Sequence, residues 1–306
     1  MPATHPRPGD SKPAPALTDK DPIAIAKPSW RLIGDFYILY YWISSSQATE
    51  FPSMAYSALE ASSQFADASS SRPVGGVGMI QIIRYSQSPV GPYDELAIIP
   101  GKFEWSRQTP DSKHVKSQDY KVSRIYVSQK HTCYNGRVNN MKANEDSISD
   151  WNIPKHLARF EWERNYDGSQ TVKVFPHDMT TDDNETHSSS RPFFRATMKN
   201  IPFIPSFPFS TSWLKYVGIP TRAVHPQLPE GKGSQGELPG TDRWCIISPA
   251  IKGNDTALIT IDMSQNEGED EDGGDGGNFW PGLGRWHVGM KMKNAVMTLG
   301  PPDETW

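Results

Sequence analysis

Two residues have side chains that could carry out chemistry: Lys155 in "WNIPKHLARF" and Glu95 in "SPVGPYDELAII". A lysine attacks a carbonyl carbon only after its amine has lost a proton, and burial or a nearby positive charge favours that neutral state. Lys155 has apolar neighbours, and the next residue, His156, is a potential second cation. Lys155 is therefore a candidate Schiff-base nucleophile, and an ordinary surface lysine is the alternative.

Glu95 enters the apolar run "LAIIP" after a turn that contains Pro89, Gly91 and Pro92. A carboxylate at the mouth of a buried strand loses solvation, which favours its protonated form and makes it a possible proton donor near neutrality. The alternative is that Glu95 caps the turn or pairs with a surface arginine such as Arg84.

The elements that must position these residues are mostly predicted strands. Apolar or alternating segments predict strands at Phe36–Ile43, Met79–Tyr85, Leu96–Ile99, Ser123–Gln129, Thr171–Phe175, Phe193–Met198, Trp244–Ile247, Ala257–Asp262 and Trp286–Leu299. Two helices are predicted, one over Met54–Ser69 and one that begins at Pro154 and places Lys155 in its first turn. These segments indicate a mainly β domain with a closed or doubly layered sheet.

The composition excludes several classes of protein. The chain has 306 residues, of which 36% are hydrophobic, so it can bury a sizeable core. Its net charge of -4 argues against a nucleic-acid partner. The apolar run Leu32–Ile43 is shorter than the ~20 residues that span a membrane.

One domain accounts for most of the chain. Residues 1–28 are rich in Pro, Ala and charge and lack the apolar core of a secretory signal, which predicts a disordered arm and a cytoplasmic protein. Residues 29–306 form the predicted domain, with inserted loops near 140–150 and 263–278. The second loop is acidic and glycine-rich, as is typical of a solvated excursion.

The order and spacing of three motifs resemble the acetoacetate decarboxylase family. They are "GPYDEL", then "NGR" about fifty residues later, then "PKHLA". The wording "SPVGPYDEL" and "WNIPKHLARF" is more similar still to fungal decarboxylase-like relatives. The similarity covers roughly Gly75 to Pro176.

The resemblance implies a closed β-barrel with a central cavity, flanking strands and a few short helices. It implies a lyase that decarboxylates a small β-ketoacid or related oxo compound through a lysine Schiff base, without a metal or organic cofactor. Lys155 matches the family's nucleophile and Glu95 its acidic residue, with His156, Tyr93 and Arg137 in support. Arg137 is favoured over Arg31 and Arg84 as the group that binds the substrate's carboxylate, and a homo-oligomer is an open alternative.

Two departures from the family pattern leave alternatives open. The family's second lysine is His156 here, which is mostly neutral at pH 7 unless its pKa is raised. The run Asn140 to Asp150 is inserted just before the "PKHLA" motif. The alternatives are a noncatalytic small-molecule-binding barrel, and a Schiff-base aldolase, dehydratase or cyclase acting on a larger polyketide-like substrate of secondary metabolism.

Overall fold

The computed structural model describes residues 17–18, 20–109, 111–138, 150–217, 221–265, 280 and 283–306. This part of the chain contains sixteen strands, three short α-helices and two 3₁₀ helices, Ser53–Ala55 and Thr211–Val217. The helices are α1 (Ser45–Ala48), α2 (Ala58–Ala61) and α3 (Lys130–Arg137). The strands are β1 (Trp30–Ile43), β2 (Ser71–Gln87), β3 (Tyr93–Ile99), β4 (Lys102–Gln108), β5 (His114–Tyr120), β6 (Arg124–Val127), β7 (Lys155–Arg164), β8 (Gln170–Met179), β9 (Glu185–Ser188), β10 (Phe194–Asn200), β11 (Phe207–Ser210), β12 (Ala223–His225), β13 (Cys245–Ile247), β14 (Ala250–Asp262), β15 (Trp286–Leu299) and β16 (Glu304–Thr305).

Nine of these strands close into a barrel, which confirms the predicted mainly β fold. Their order is β1, β15, β14, β10, β8, β7, β6, β3 and β2, and the ring closes because β1 pairs with both β15 and β2. The ladders are antiparallel except for the parallel pair β6–β7. The first residues of β2 leave the barrel and pair with β4, which begins a second sheet of β4, β5, β12, β13 and β16.

The two faces of the barrel wall bury different hydrophobic clusters. Side chains from opposite sides of the ring meet inside the barrel: the Tyr37 and Trp162 ring centroids are 5.7 Å apart, and Tyr37 donates to Gln170 at 2.7 Å. Alternate residues of the same strands, such as Ile38 and Ala97, point outward and pack under α3 and the second sheet. The barrel interior is therefore packed, and a second apolar layer lies outside its wall.

Every predicted strand is present, but the helix predictions were mostly wrong. The Met54–Ser69 segment contains only a 3₁₀ turn and α2, and the segment after Pro154 is the strand β7. Helix α3 was not predicted. It connects β6 to β7, and parallel neighbours need such a crossover, usually a helix.

The predicted arm and loops fall largely on residues that are not described. Residues 1–16 and 19 lie outside the described residues, whereas residues 20–28 run along α3. The Ala24 amide donates to Nδ1 of His131 at 3.0 Å, and the Ala26 amide donates to Oδ1 of Asn135 at 2.8 Å. The disorder prediction was therefore too long, because composition does not reveal these helix side chains. Residues 139–149 and 266–279, the bodies of the two predicted loops, are outside the described residues.

Among the described residues, no helix is long and apolar enough to cross a membrane.

Candidate active site

Lys155 begins a strand, not a helix. It is the first residue of β7, where Ile125 of β6 is its parallel partner. Successive side chains of a strand point to opposite faces, so Lys155 points out of the barrel wall toward α3, and His156 points the other way. The predicted helix dipole therefore does not act on this amine.

The Lys155 amine is buried in a small polar site. Its Nζ lies 2.9 Å from Oε2 of Glu95 and donates to Oγ1 of Thr132 at 2.9 Å. It also lies 5.2 Å from the centre of the Tyr93 ring. Lys155 is 5% exposed and Glu95 6%. The structure thus brings together three of the predicted residues, and α3 adds Thr132.

Two tyrosines close the other side of Glu95. The Tyr85 hydroxyl donates to Oε1 of Glu95 at 3.4 Å, and the Tyr85 and Tyr93 rings are 4.6 Å apart. Burial, and next the charge of Glu95, raise the pKa of both phenols well above the ordinary value. Both hydroxyls therefore remain protonated donors beside a carboxylate.

Helix α3 packs directly on the lysine side chain. A Cβ placed on Gly136 would lie 2.5 Å from Cδ of Lys155, so this position in the "NGR" motif has no room for a larger residue. The carbonyl of Lys155 accepts a hydrogen bond from Sγ of Cys133 at 3.2 Å. The helix therefore fixes both the backbone and the side chain of Lys155.

The residues before β7 anchor its start. Trp151 is buried and donates from its indole to the carbonyl of Gly300 at 2.8 Å. Asn152 has a φ of 51°, in the left-handed region that asparagine tolerates better than most residues. Its amide group donates to the carbonyl of Pro226 at 3.1 Å. The "WNIP" segment is thus tied to the surrounding loops, and it fixes where the strand begins.

His156, the potential second cation next to Lys155 in the sequence, lies away from the Lys155 amine. Its Nε2 lies 2.7 Å from Oε2 of Glu60 and 3.0 Å from Oγ of Ser57, and its Nδ1 lies 3.6 Å from Oε1 of Glu185. Burial opposes its charging, but the charge of Glu60 and hydrogen bonds to Glu185 and Glu60 outweigh burial and raise the pKa of His156. The charge of His156 therefore pairs with Glu60 and Glu185 on the opposite face of β7.

Arg137 does not bind near the lysine amine either. Its Nη1 lies 3.0 Å from Oε1 of Glu60, and its Nη2 donates to the carbonyl of Pro229 at 2.7 Å. The side chain is fully buried. Arg84 pairs with Asp94 at 3.3 Å, and Arg31 is exposed. None of the three candidate arginines therefore faces the amine of Lys155.

Sequence reasoning missed four residues of these two clusters: Thr132, Tyr85, Glu60 and Glu185. Glu185 accepts a hydrogen bond from the backbone amide of Leu157 at 3.0 Å, which holds β7 from its other side. The only signal for Glu60 was its place in the segment predicted as an amphipathic helix. Thr132 had none, because it depends on the crossover connection.

Lys121 is another buried lysine, and it lies away from Lys155. Lys121 is fully buried, and its Nζ donates to the carbonyl of Phe65 and to Oγ of Ser71, both at 2.9 Å. The rings of Phe103 and Phe65 lie 4.1 Å and 5.1 Å from this nitrogen. Burial lowers the pKa of Lys121 to about 7.

The chemistry available beside Lys155 is proton exchange within an ion pair. Moving one proton over 2.9 Å from the ammonium to Glu95 leaves a neutral amine and a neutral acid. No group of three or more His, Cys, Asp or Glu side chains that could hold a metal ion occurs in the described part of the chain.

Comparison with known proteins gave a single kind of finding. No protein-family model and no curated protein matches this chain. Among solved structures, the chain is similar to the enduracididine biosynthesis enzyme MppR, determined in complex with the condensation product of pyruvate and imidazole 4-carboxaldehyde. The two sequences are 12% identical, the match covers 98% of each chain, and the TM-score is 0.42.

Proposed function

We propose that this protein is an acetoacetate decarboxylase-like enzyme that acts on an oxo acid through a Schiff base on Lys155. The observation that carries the proposal is the buried contact between Nζ of Lys155 and Oε2 of Glu95 at 2.9 Å. An amine nucleophile needs a neighbour that removes its proton, and this carboxylate is close enough to do so.

The reaction begins with the transfer of a proton from the Lys155 ammonium to Glu95. The neutral amine adds to the ketone carbon of a β-ketoacid, and loss of water gives a protonated imine. The bond to the carboxylate carbon then breaks, carbon dioxide leaves, and the bonding electrons move to the imine nitrogen to form an enamine. Glu95, whose first proton left with the water, takes up a proton from solvent and passes it to the enamine carbon. Addition of water to the resulting iminium then releases the ketone and the lysine ammonium.

The hydroxyl groups around Lys155 and Glu95 can form hydrogen bonds to these residues as their charges change during the reaction. The raised pKa of Tyr85 keeps its phenol protonated, so it donates to Glu95 whenever that carboxylate is charged. Thr132 accepts a hydrogen bond from the ammonium and can donate one to the neutral amine.

A noncatalytic binding barrel is the second candidate, and one observation favours it. His156, the potential cation next to Lys155 in the sequence, lies on the other face of β7, next to Glu60. A lysine that remains paired with Glu95 would then be a fixed polar contact for a bound ligand.

The test is reduction of the protein with sodium borohydride in the presence of acetoacetate, followed by mass spectrometry of the whole chain. We expect one covalent adduct in the wild type and none in Lys155→Ala. Lys155→Arg, which keeps the charge but cannot form the imine, is the matched control. Absence of an adduct with acetoacetate, pyruvate and longer oxo acids between pH 5 and 9 would contradict the Schiff-base proposal and leave the binding barrel.

Measurement of carbon dioxide then separates the reactions that share an imine. A β-ketoacid decarboxylase releases one carbon dioxide for each ketone formed. An aldolase or dehydratase forms the same borohydride adduct but releases no gas.

A further inference from the structure

A large apolar cavity lies on the same face of the barrel wall as Lys155 and Glu95. Its volume is about 930 Å³, and most of its lining is apolar. It lies between the wall strands β1, β2 and β15 and the second sheet, where Tyr120, Ala223 and Ile247 form the opposite side. Pockets of roughly 300–1,000 Å³ hold drug-sized ligands, so the cavity far exceeds what a short β-ketoacid fills.

Strand register connects this cavity to the lysine. Starting at Lys155, the directly paired residues are Ile125 on β6, Ala97 on β3, Gln81 on β2 and Ile38 on β1. Paired residues point to the same face of a sheet. Gln81 and Ile38 line the cavity, so its floor is in the same row of outward-facing side chains as Lys155.

The distance from Gln81, on the cavity floor, to Glu95 is short. Gln81 is paired with Ala97, and Glu95 is the next residue of β3 on that face. Such diagonal neighbours are roughly 7–8 Å apart. The residue between them, Ala97, has only a methyl group and belongs to the same apolar cluster.

The cavity opens to solvent at its rim, whereas the Lys155 amine is buried. Lys155 is 5% exposed, whereas Trp42 and Val77, at the rim of the cavity, are 69% and 39% exposed. Met79, Ile99 and Gln81 also line the cavity. It is larger than a pocket of about 500 Å³ that Tyr85 and Tyr93 line.

From this arrangement we infer that the cavity binds the long apolar tail of an oxo acid whose carbonyl group reaches Lys155. This inference rests on the proposed function, because it specifies the substrate of that site. The substrate class is a medium- or long-chain acyl or aryl oxo acid. Its tail lies against Met79, Ile99 and Met290, which line the cavity.

The first arm of the test compares oxo acids of increasing chain length. Borohydride trapping is measured against the concentration of acetoacetate, 3-oxooctanoate and 3-oxododecanoate. In the wild type we expect the half-saturating concentration to fall at least tenfold from the shortest to the longest acid. Val77→Trp and Met79→Trp should remove this dependence, because either indole fills part of the cavity.

Ile204→Trp is the matched control, because Ile204 is exposed and lies outside the cavity lining. It should keep the chain-length dependence. Val77→Trp changes a side chain that is already partly exposed, so this variant keeps the test valid if Met79→Trp does not fold. Equal half-saturating concentrations for the three acids, or equal losses in the rim variant and the control, would overturn the inference.

The second arm separates this inference from the proposed function. Binding of dodecanoate, which has no ketone, is measured by calorimetry on Lys155→Ala with and without Val77→Trp. Binding that Val77→Trp abolishes supports the apolar cavity even if no oxo acid is trapped, an outcome that contradicts only the Schiff base. Trapping of acetoacetate without any binding of dodecanoate supports the Schiff base and overturns the apolar tail site.

Discussion

Lys155 and Lys121 are both buried, but different groups surround their amines. Lys155 faces a carboxylate at 2.9 Å and a hydroxyl, on the face of the wall that carries the large cavity. Lys121 is enclosed by aromatic rings and donates to a backbone carbonyl and a serine. The residues on both sides of it, Tyr120 and Val122, line the cavity, but Lys121 does not.

This difference shows that a lowered pKa alone does not identify a nucleophile. Burial lowers the pKa of Lys121 to about 7, so a large fraction of its amine is neutral near physiological pH. It nevertheless lies behind the rings of Phe103 and Phe65, with its donors satisfied. Lys155 has a proton acceptor in contact and an adjacent cavity, and these are the features that imine chemistry needs.

The largest expected effect comes from replacing Lys155 by a residue without an amine. The same kind of replacement at Lys121 is the comparison. Lys155→Ala should remove at least 99% of the borohydride adduct, because the proposed imine forms on the amine of Lys155. Lys121→Met should keep the adduct within a factor of about three. Mass spectrometry after trapping measures both, and a large loss in Lys121→Met with intact folding would reverse the assignment.

Glu95→Gln tests the carboxylate that contacts the Lys155 amine, a contact that Lys121 lacks. Glutamine keeps the size of the side chain but cannot take the ammonium proton, so the rate of imine formation should fall by roughly 10²–10⁴-fold. Rapid-mixing measurements of trapping against time give this rate. The companion variant Tyr85→Phe removes one donor to Glu95 and should cost far less; a Glu95→Gln variant as fast as the wild type would exclude Glu95 as the base.

His156→Gln tests the ion pairs behind the lysine strand. Removing one partner of a buried pair costs roughly 3–5 kcal/mol of unfolding free energy. Because the pKa of His156 is raised in the folded protein, its contribution is fully present below its ordinary pKa near 6.5 and is lost as the pH rises through the folded value. Urea unfolding of wild type and variant from pH 5 to 9 should therefore show a difference that shrinks with pH; a constant difference would contradict the charged histidine.

Lys121→Met should show the opposite pH dependence. The pKa of Lys121 is about 7 in the folded protein and about 10.4 in an unfolded chain, so between these values the unfolded state binds more protons. Wild-type stability should rise over this range by at most about 1.4 kcal/mol per pH unit relative to the methionine variant. Parallel stability curves from pH 7 to 10 would show that Lys121 remains charged when buried.

Gly136→Ala should lower the trapping rate less than Glu95→Gln does. The added methyl group would lie 2.5 Å from Cδ of Lys155, so the side chain must shift and its amine must move relative to Glu95. We expect a loss of about tenfold in trapping rate with little change in the pH at half-maximal rate. Gly284→Ala is the matched control, because a methyl group there meets no neighbouring atom within 4 Å.

The fold was largely predictable because strand alternation and apolar runs are local signals. The segments around Ile82, Leu96 and Val172 carry these signals, and all three lie in barrel strands. The helix predicted after Pro154 failed because "KHLARFEWER" fits either period: proline suited a helix start, while alternation places Lys155 and Leu157 on one face and His156 and Ala158 on the other. Pairing with β6 and β8 decided the matter, and pairing is not a local property.

The site was predictable only in part, for the same reason. Lys155, Glu95 and Tyr93 lie within motifs that the resemblance singled out, and the structure brings them together. His156 and Arg137 lie in those motifs as well, but strand alternation and burial direct them to Glu60. Thr132 could not be predicted, because its contact with Lys155 depends on an eight-residue helix that sequence patterns did not reveal.

The most direct test of the account is to locate the trapped adduct by peptide mapping. The wild-type protein is reduced with borohydride in the presence of an oxo acid at pH 7, digested, and the modified lysine is identified by tandem mass spectrometry. The account predicts modification of Lys155, with no adduct on Lys121 although its pKa is about 7. An adduct on Lys121, or equal modification of many surface lysines, would contradict it.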